Sequence, residues 1–180
     1  LPDMTTATLH LDMTMSEILE RFPGARRALF QKYHIGGCHS CGFQPTDSLR
    51  TVLAKHQVQD TEAAVQTILD FDAMDRRMQI APKDVVALRK ADPKVRLIDV
   101  RTEEEWEIAR IEGAELLTQE LFDELRTAPK DTPMVFVCHS GNRSLDAAAY
   151  FAGHGFTAVK SMTGGILAWS DEVDPNVPKY

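Results

Sequence analysis

The run Met134-Val-Phe-Val137 constrains this chain more than any other feature. Four consecutive apolar residues read as a strand buried on both faces. The chain then passes directly into Cys138-His-Ser-Gly-Asn-Arg143-Ser144, and from there into an alanine-rich stretch, Ser144–His154, that reads as a helix. A strand covered on both faces belongs to a parallel sheet with helices on either side. Its neighbours agree. Val95–Val100 is a second short apolar run, Ala114–Leu117 and Ala158–Lys160 suit further strands, and Asp84–Lys90 and Gln119–Arg126 suit helices. Thr102-Glu-Glu-Glu105 is a capping box opening another helix, with Glu103, Glu104 and Glu105 read as a solvated start that complements the helix dipole.

The first 75 or so residues have a different rhythm. Thr14-Met-Ser-Glu17 is a capping box, with Met13 and Ile18 placed for a hydrophobic staple. Helices are expected through Phe22, over Ala25–Tyr33, from a cap at Thr46 or Asp47 to about His56, and from Asp60 or Thr61 onward. Ala64, Val65, Ile68 and Leu69 share one face of the last. The expected fold class is therefore α/β with a small all-α N-terminal domain. The boundary lies between Met74 and Pro82, and is set at 1–76 and 77–180.

Bulk composition narrows the function. The 180 residues are 43% hydrophobic and carry a net charge of -7, which disfavours nucleic acid and anionic membranes as partners. No run approaches the roughly 18 apolar residues of a membrane span. Leu1–Thr6 has no charged-then-apolar signal pattern. Three cysteines, Cys38, Cys41 and Cys138, suit a chemical rather than a stapling role, and the expected location is the cytoplasm.

Cys138 is the candidate nucleophile. It lies where a parallel strand ends and a helix begins, the usual place for ligands in open α/β sheets. A helix N-terminus offers free N–H groups and positive potential, which favour a thiolate or another anion. Arg143 adds a cation, Gly141 permits a tight turn, and the Ser140 and Ser144 hydroxyls are placed to bond the sulfur. The competing reading is a cysteine that merely closes a core strand.

Residues 80 to 170 resemble a single rhodanese domain. Leu97-Ile-Asp-Val-Arg101 resembles the family's first signature, and Glu104 to Leu117, containing Gly113-Ala114, its second. Val137-Cys-His-Ser-Gly-Asn-Arg-Ser144 resembles its active-site loop and Gly164-Gly-Ile-Leu-Ala-Trp169 its closing motif. The resemblance implies a sulfurtransferase in which Cys138 becomes a persulfide. Thiosulfate or a persulfide would be the sulfur source, a thiol, protein thiols included, the acceptor, and no cofactor or metal is called for. It also implies that Arg143 and the loop residues His139, Ser140, Gly141, Asn142 and Ser144 cradle the anion. Asp99 and Arg101 would support the loop, with Arg101 able also to face the substrate. The second signature departs from the family pattern, reading Arg110-Ile-Glu-Gly-Ala114 instead of His-Ile-Pro-Gly-Ala. Four residues separate Cys138 from Arg143, as in sulfur-transfer members, whereas cysteine-dependent phosphatases place five there.

Cys38-His-Ser-Cys41 is a glycine-framed dithiol. Its spacing suits a redox or sulfur-relay pair, half of a metal or cluster site shared between subunits, or an inert structural pair. Residues 9 to 72 resemble a small helical bacterial domain associated with hybrid-cluster proteins and iron–sulfur repair. The likeness rests on Met15-Ser-Glu-Ile-Leu-Glu-Arg-Phe-Pro23, the Tyr33-to-Cys41 loop and the helix near Leu49. It implies a redox or iron–sulfur context. Beside the enzyme, two other functions fit the chain: a non-catalytic sulfur carrier, and a redox or metal sensor built on Cys38 and Cys41. The tail Asp174–Tyr180, with two prolines, is expected to be extended, either draped over the domain or loose.

Overall fold

A computed structural model describes residues 8–36 and 42–180. The chain divides into two compact units, residues 1–77 and 78–180. The Cys38-His-Ser-Cys41 dithiol lies outside the described residues.

The first unit holds α1 (Met15–Arg21), α2 (Ala25–Tyr33), α3 (Leu49–Lys55) and α4 (Thr61–Met78, whose last residue opens the second unit). Thr14 and Glu17 form a complete capping box at α1. α3 is capped by Ser48, not by Thr46 or Asp47. Asp47 is committed elsewhere, since its carboxylate accepts the Gln44 N–H at 3.0 Å. Backbone bonds from Met15 to the Asp47 carbonyl (2.8 Å) and from Leu49 to the Met13 carbonyl (3.0 Å) tie the starts of α1 and α3 together. Met15, Ile18, Leu29, Leu49, Leu53 and Ile68 are fully buried in one core.

The second unit is built on five parallel strands: β1 (Gln79–Ile80), β2 (Arg96–Asp99), β3 (Ala114–Leu116), β4 (Met134–Val137) and β5 (Val159–Met162). Their order is β1-β5-β4-β2-β3, with β4 central. The connecting helices are α5 (Pro82–Ala91), α6 (Glu103–Ile108), α7 (Gln119–Thr127), α8 (Asn142–Gly153) and α9 (Gly165–Glu172). Alternate residues of β4 face opposite layers. Val135 and Val137 join Val85, Ile166 and Trp169 under α5 and α9. Phe136 stacks on Phe151 of α8 with ring centroids 5.2 Å apart.

Two elements escape the sequence reading. β1 is two residues long and exists through its pairing with β5, so it has no period of its own. α9 lies inside the closing motif and begins at two glycines, which mask its helical character. Residues 174–180 fold back on this unit: Val177 is buried in the core and the buried Ser170 hydroxyl donates to its carbonyl at 2.7 Å.

Candidate active site

Two helix N-termini and the carboxyl end of β4 meet at Cys138, which is 1% exposed. Gly141 is the N-cap of α8 in a left-handed conformation (φ +105°), a turn that L side chains resist. The turn aims the Gly141 N–H at the Cys138 sulfur, 3.1 Å away. Ser144, in the first turn of α8, accepts from the Cys138 thiol at 3.3 Å. Its oxygen lies 2.8 Å from that of Ser161, and both hydroxyls are buried. Either serine can donate in that pair. If the sulfur becomes an anion, the chain can reverse, so that Ser161 donates to Ser144 and Ser144 to sulfur.

α9 holds the same loop from the other side. The Ile166 N–H bonds the Cys138 carbonyl at 2.8 Å and the Leu167 N–H bonds the His139 carbonyl at 3.3 Å. Gly165 makes this approach possible: a Cβ there would lie 2.4 Å from the Cys138 oxygen. One helix end thus serves the sulfur and the other serves the backbone beneath it.

Charge around the loop is paired. Asp99 and Arg101 form a buried ion pair, 2.7 Å at its shortest, with side chains 1% and 0% exposed. Arg101 also donates to the Ala109 carbonyl (2.6 Å), the Glu105 carbonyl (3.2 Å) and the Tyr180 hydroxyl (2.6 Å). Arg143 sits at the rim with its side chain 47% exposed. Its guanidinium makes a bidentate pair with Glu105, at 2.7 and 2.8 Å. Glu105 also accepts the Thr102 N–H (3.0 Å) and the Tyr180 hydroxyl (3.0 Å). Hydrogen bonding from Arg143, reinforced by Thr102 and Tyr180, holds the Glu105 carboxyl well below the usual carboxylate range. Arg143 is held above its ordinary value, first by Glu105 and also by the nearby Cys138.

His139 stacks on the Tyr180 ring, with centroids 4.5 Å apart, and its Nε2 lies 2.8 Å from the Tyr180 carbonyl oxygen. Ser140 and Asn142 are exposed at the mouth. The structure therefore gathers Cys138, Gly141 and Ser144 at the sulfur, and Arg143, His139, Asp99 and Arg101 in the frame around it.

Four further residues belong to the site. Glu105 is the rim partner of Arg143 and not a solvated helix start. Its capping box was legible, but nothing local encodes a partner 38 positions away. Tyr180 bridges Arg101 and Glu105 from 79 and 75 positions away, again without a sequence signal. Ser161 is an ordinary strand serine by sequence. Gly165 stood within a quoted motif, which was its only signal.

A family model described as a rhodanese-like domain matches residues 81–172. The chain is 30% identical over 158 residues to the adenylyltransferase and sulfurtransferase UBA4 of Candida albicans, over 79% of this chain and 34% of that protein. It is 36% identical over 97 residues to the thiosulfate sulfurtransferase GlpE of Pseudomonas putida, over 53% of this chain and 87% of that protein. Among solved structures it is similar to a rhodanese-related protein from Thermoplasma volcanium, with a TM-score of 0.46 and 24% identity over 57% of this chain and 98% of that one. It thus spans about a third of the Candida relative and most of GlpE. With its family domain at residues 81–172, this chain belongs to the rhodanese-like family.

Proposed function

We propose that this protein is a sulfurtransferase that carries sulfane sulfur as a persulfide on Cys138. The observation that carries the reading is the sulfur's setting: a strand-end thiol met by the Gly141 N–H at 3.1 Å and by Ser144 at 3.3 Å, at the N-terminus of α8. In the first step the Cys138 thiolate attacks the outer sulfur of the source, R–S–S⁻ or thiosulfate. The S–S bond of the source breaks, and the thiolate R–S⁻, or sulfite, leaves with the electron pair. Cys138 now holds the terminal sulfur. In the second step an acceptor thiolate attacks that sulfur, and the Cys138 thiolate is released.

Gly141 and Ser144 stabilise negative charge on sulfur in both steps. Asp99 and Arg101 act as supports, tying the end of β2 to the Glu105 carbonyl within α6 and to the Ala109 carbonyl at its C-cap. His139, Ser140 and Asn142 shape the mouth. The names of the relatives support a sulfur source and an acceptor for this chain too. We take residues 1–76 as the helical dithiol domain, which resembles the hybrid-cluster-associated family, and residues 77–180 as the transfer domain. A cytoplasmic setting would keep all three thiols reduced.

The reading extends to Cys38 and Cys41 as the first acceptor. Its support is their spacing and their fusion to a sulfur carrier. Replacing both with serine is expected to slow turnover when no external thiol is present, and unchanged turnover would discard the relay.

Steady-state transfer from thiosulfate or glutathione persulfide to a small thiol tests the main reading. Parallel double-reciprocal lines, abolished by Cys138→Ser, are expected. Transfer that persists in Cys138→Ser would overturn it.

A further inference from the structure

The most developed feature that the transfer chemistry leaves unused is the carboxylate of Glu105. Its two oxygens receive four N–H and O–H groups. Oε1 accepts from Arg143 at 2.8 Å and from Tyr180 at 3.0 Å, while Oε2 accepts from Arg143 at 2.7 Å and from Thr102 at 3.0 Å. A carboxylate has about four lone-pair sites, so this one is saturated. Such a group is a fixed negative charge placed against Arg143, the rim cation of the loop. The other arginine of the site, Arg101, is closed off in the same way by Asp99. Two guanidiniums face two carboxylates, and the loop region offers an incoming anion N–H groups and hydroxyls in place of a free arginine.

We propose that Glu105 determines which class of sulfur source this site accepts: by occupying Arg143 it selects a monoanionic organic persulfide over dianionic thiosulfate. The inference rests on Cys138 being a sulfur carrier. Thiosulfate brings a second charge on its sulfonate end and needs a cation to offset it. A persulfide R–S–S⁻ carries one charge, on the sulfur that the Cys138 thiolate attacks, and its R–S⁻ leaving group departs with the electron pair of the broken bond. The Gly141 N–H and the Ser144 hydroxyl already serve the reacting sulfur, so a persulfide asks for no free rim cation. Tyr180 reinforces the choice. Its hydroxyl is both an acceptor for Arg101 (2.6 Å) and a donor to Glu105 (3.0 Å), which locks the acid in front of Arg143.

Glu105 is a positioning residue acting through Arg143, so the test compares sulfur sources and not overall activity. Single-turnover efficiency is measured with thiosulfate and with 2-hydroxyethyl persulfide, whose single charge is on its outer sulfur, in wild-type protein, Glu105→Gln, Arg143→Met and the double variant. Glutamine retains the acceptor that the capping box needs at this position. Wild-type protein is expected to favour the persulfide. Glu105→Gln is expected to raise thiosulfate efficiency roughly tenfold, the scale of one charge-assisted pair, with the persulfide changed much less. In the double variant that gain is expected to vanish, because it requires Arg143. Tyr180→Phe is expected to move the ratio the same way by a smaller factor.

A wild-type preference for thiosulfate would overturn the assignment, and that comparison needs no variant to fold. Equal changes with both sources in Glu105→Gln would also overturn it, since a purely structural role moves both together. Absence of transfer from either source in wild-type protein would instead remove the sulfur-carrier reading on which the inference rests.

Discussion

Alanine at Gly165 should unseat the candidate loop without touching a reactive atom. The added Cβ would lie 2.4 Å from the Cys138 oxygen and from the carbon and oxygen of His139. Ordinary contacts begin near 3.4 Å, so helix and loop must part by about an ångström. The left-handed φ of +59° at this position adds a penalty of about 1–2 kcal/mol for a residue with a Cβ. Separation also stretches the bonds from Ile166 and Leu167 to the loop carbonyls, each worth about 1 kcal/mol net. The combined loss is on the order of 3–5 kcal/mol, above the roughly 1–3 kcal/mol of ordinary overpacking because backbone and not a side chain is in the way. For a unit of this size that lowers Tm by roughly 10–25 °C. Misplacing the sulfur by about an ångström should slow transfer about a hundredfold, even well below the new Tm. Thermal melts and single-turnover sulfur transfer at 15 °C below each variant's Tm separate the two effects. A variant that melts with the wild type and transfers within about threefold of it would refute the view that α9 positions the loop.

Ser144→Ala removes one of the two groups bonded to the Cys138 sulfur. Hydrogen bonds to charged groups are worth about 1.5–3 kcal/mol, so alkylation of Cys138 at neutral pH should slow roughly tenfold or more; an unchanged rate would mean that the hydroxyl does not support the thiolate. Asp99→Ala leaves Arg101 buried without its carboxylate and should cost about 3–5 kcal/mol in denaturant melts, whereas a cost under about 1 kcal/mol would show that Tyr180 and the two carbonyls suffice. Because the folded-state value of Glu105 lies below its ordinary 4.5, its contribution is fully present above about that pH. It is lost as pH falls through the depressed value. The stability gap between wild type and Glu105→Gln should therefore be flat at neutral pH and shrink only in acid; a gap that closes between pH 7 and 6 would contradict this sign.

Local features were legible and distant pairings were not. β4 and α2 match their sequence-expected spans, and Thr102 forms its capping box, because an apolar run and a cap are written within a few residues. The position of Cys138 followed from the strand–loop–helix order alone. Arg143 was expected to serve the anion, and in the structure its guanidinium is paired with Glu105. What its guanidinium touches depends on α6, 38 positions earlier, and the sequence carries no local mark of that contact. Tyr180 is the strongest case. The tail was expected to be extended and either draped over the domain or loose; the buried Val177 anchors it and brings the tyrosine against His139, Arg101 and Glu105, partners that the sequence did not name. Such contacts come from tertiary packing, which local propensity does not encode.

The central claim is that Cys138 carries sulfur, and intact mass spectrometry addresses it most directly. Reduced protein is incubated with glutathione persulfide or thiosulfate, desalted and weighed beside Cys138→Ser. The account predicts a gain of one sulfur atom that dithiothreitol removes and that is missing from the serine variant. No gain from either source, or the same gain in Cys138→Ser, would contradict it.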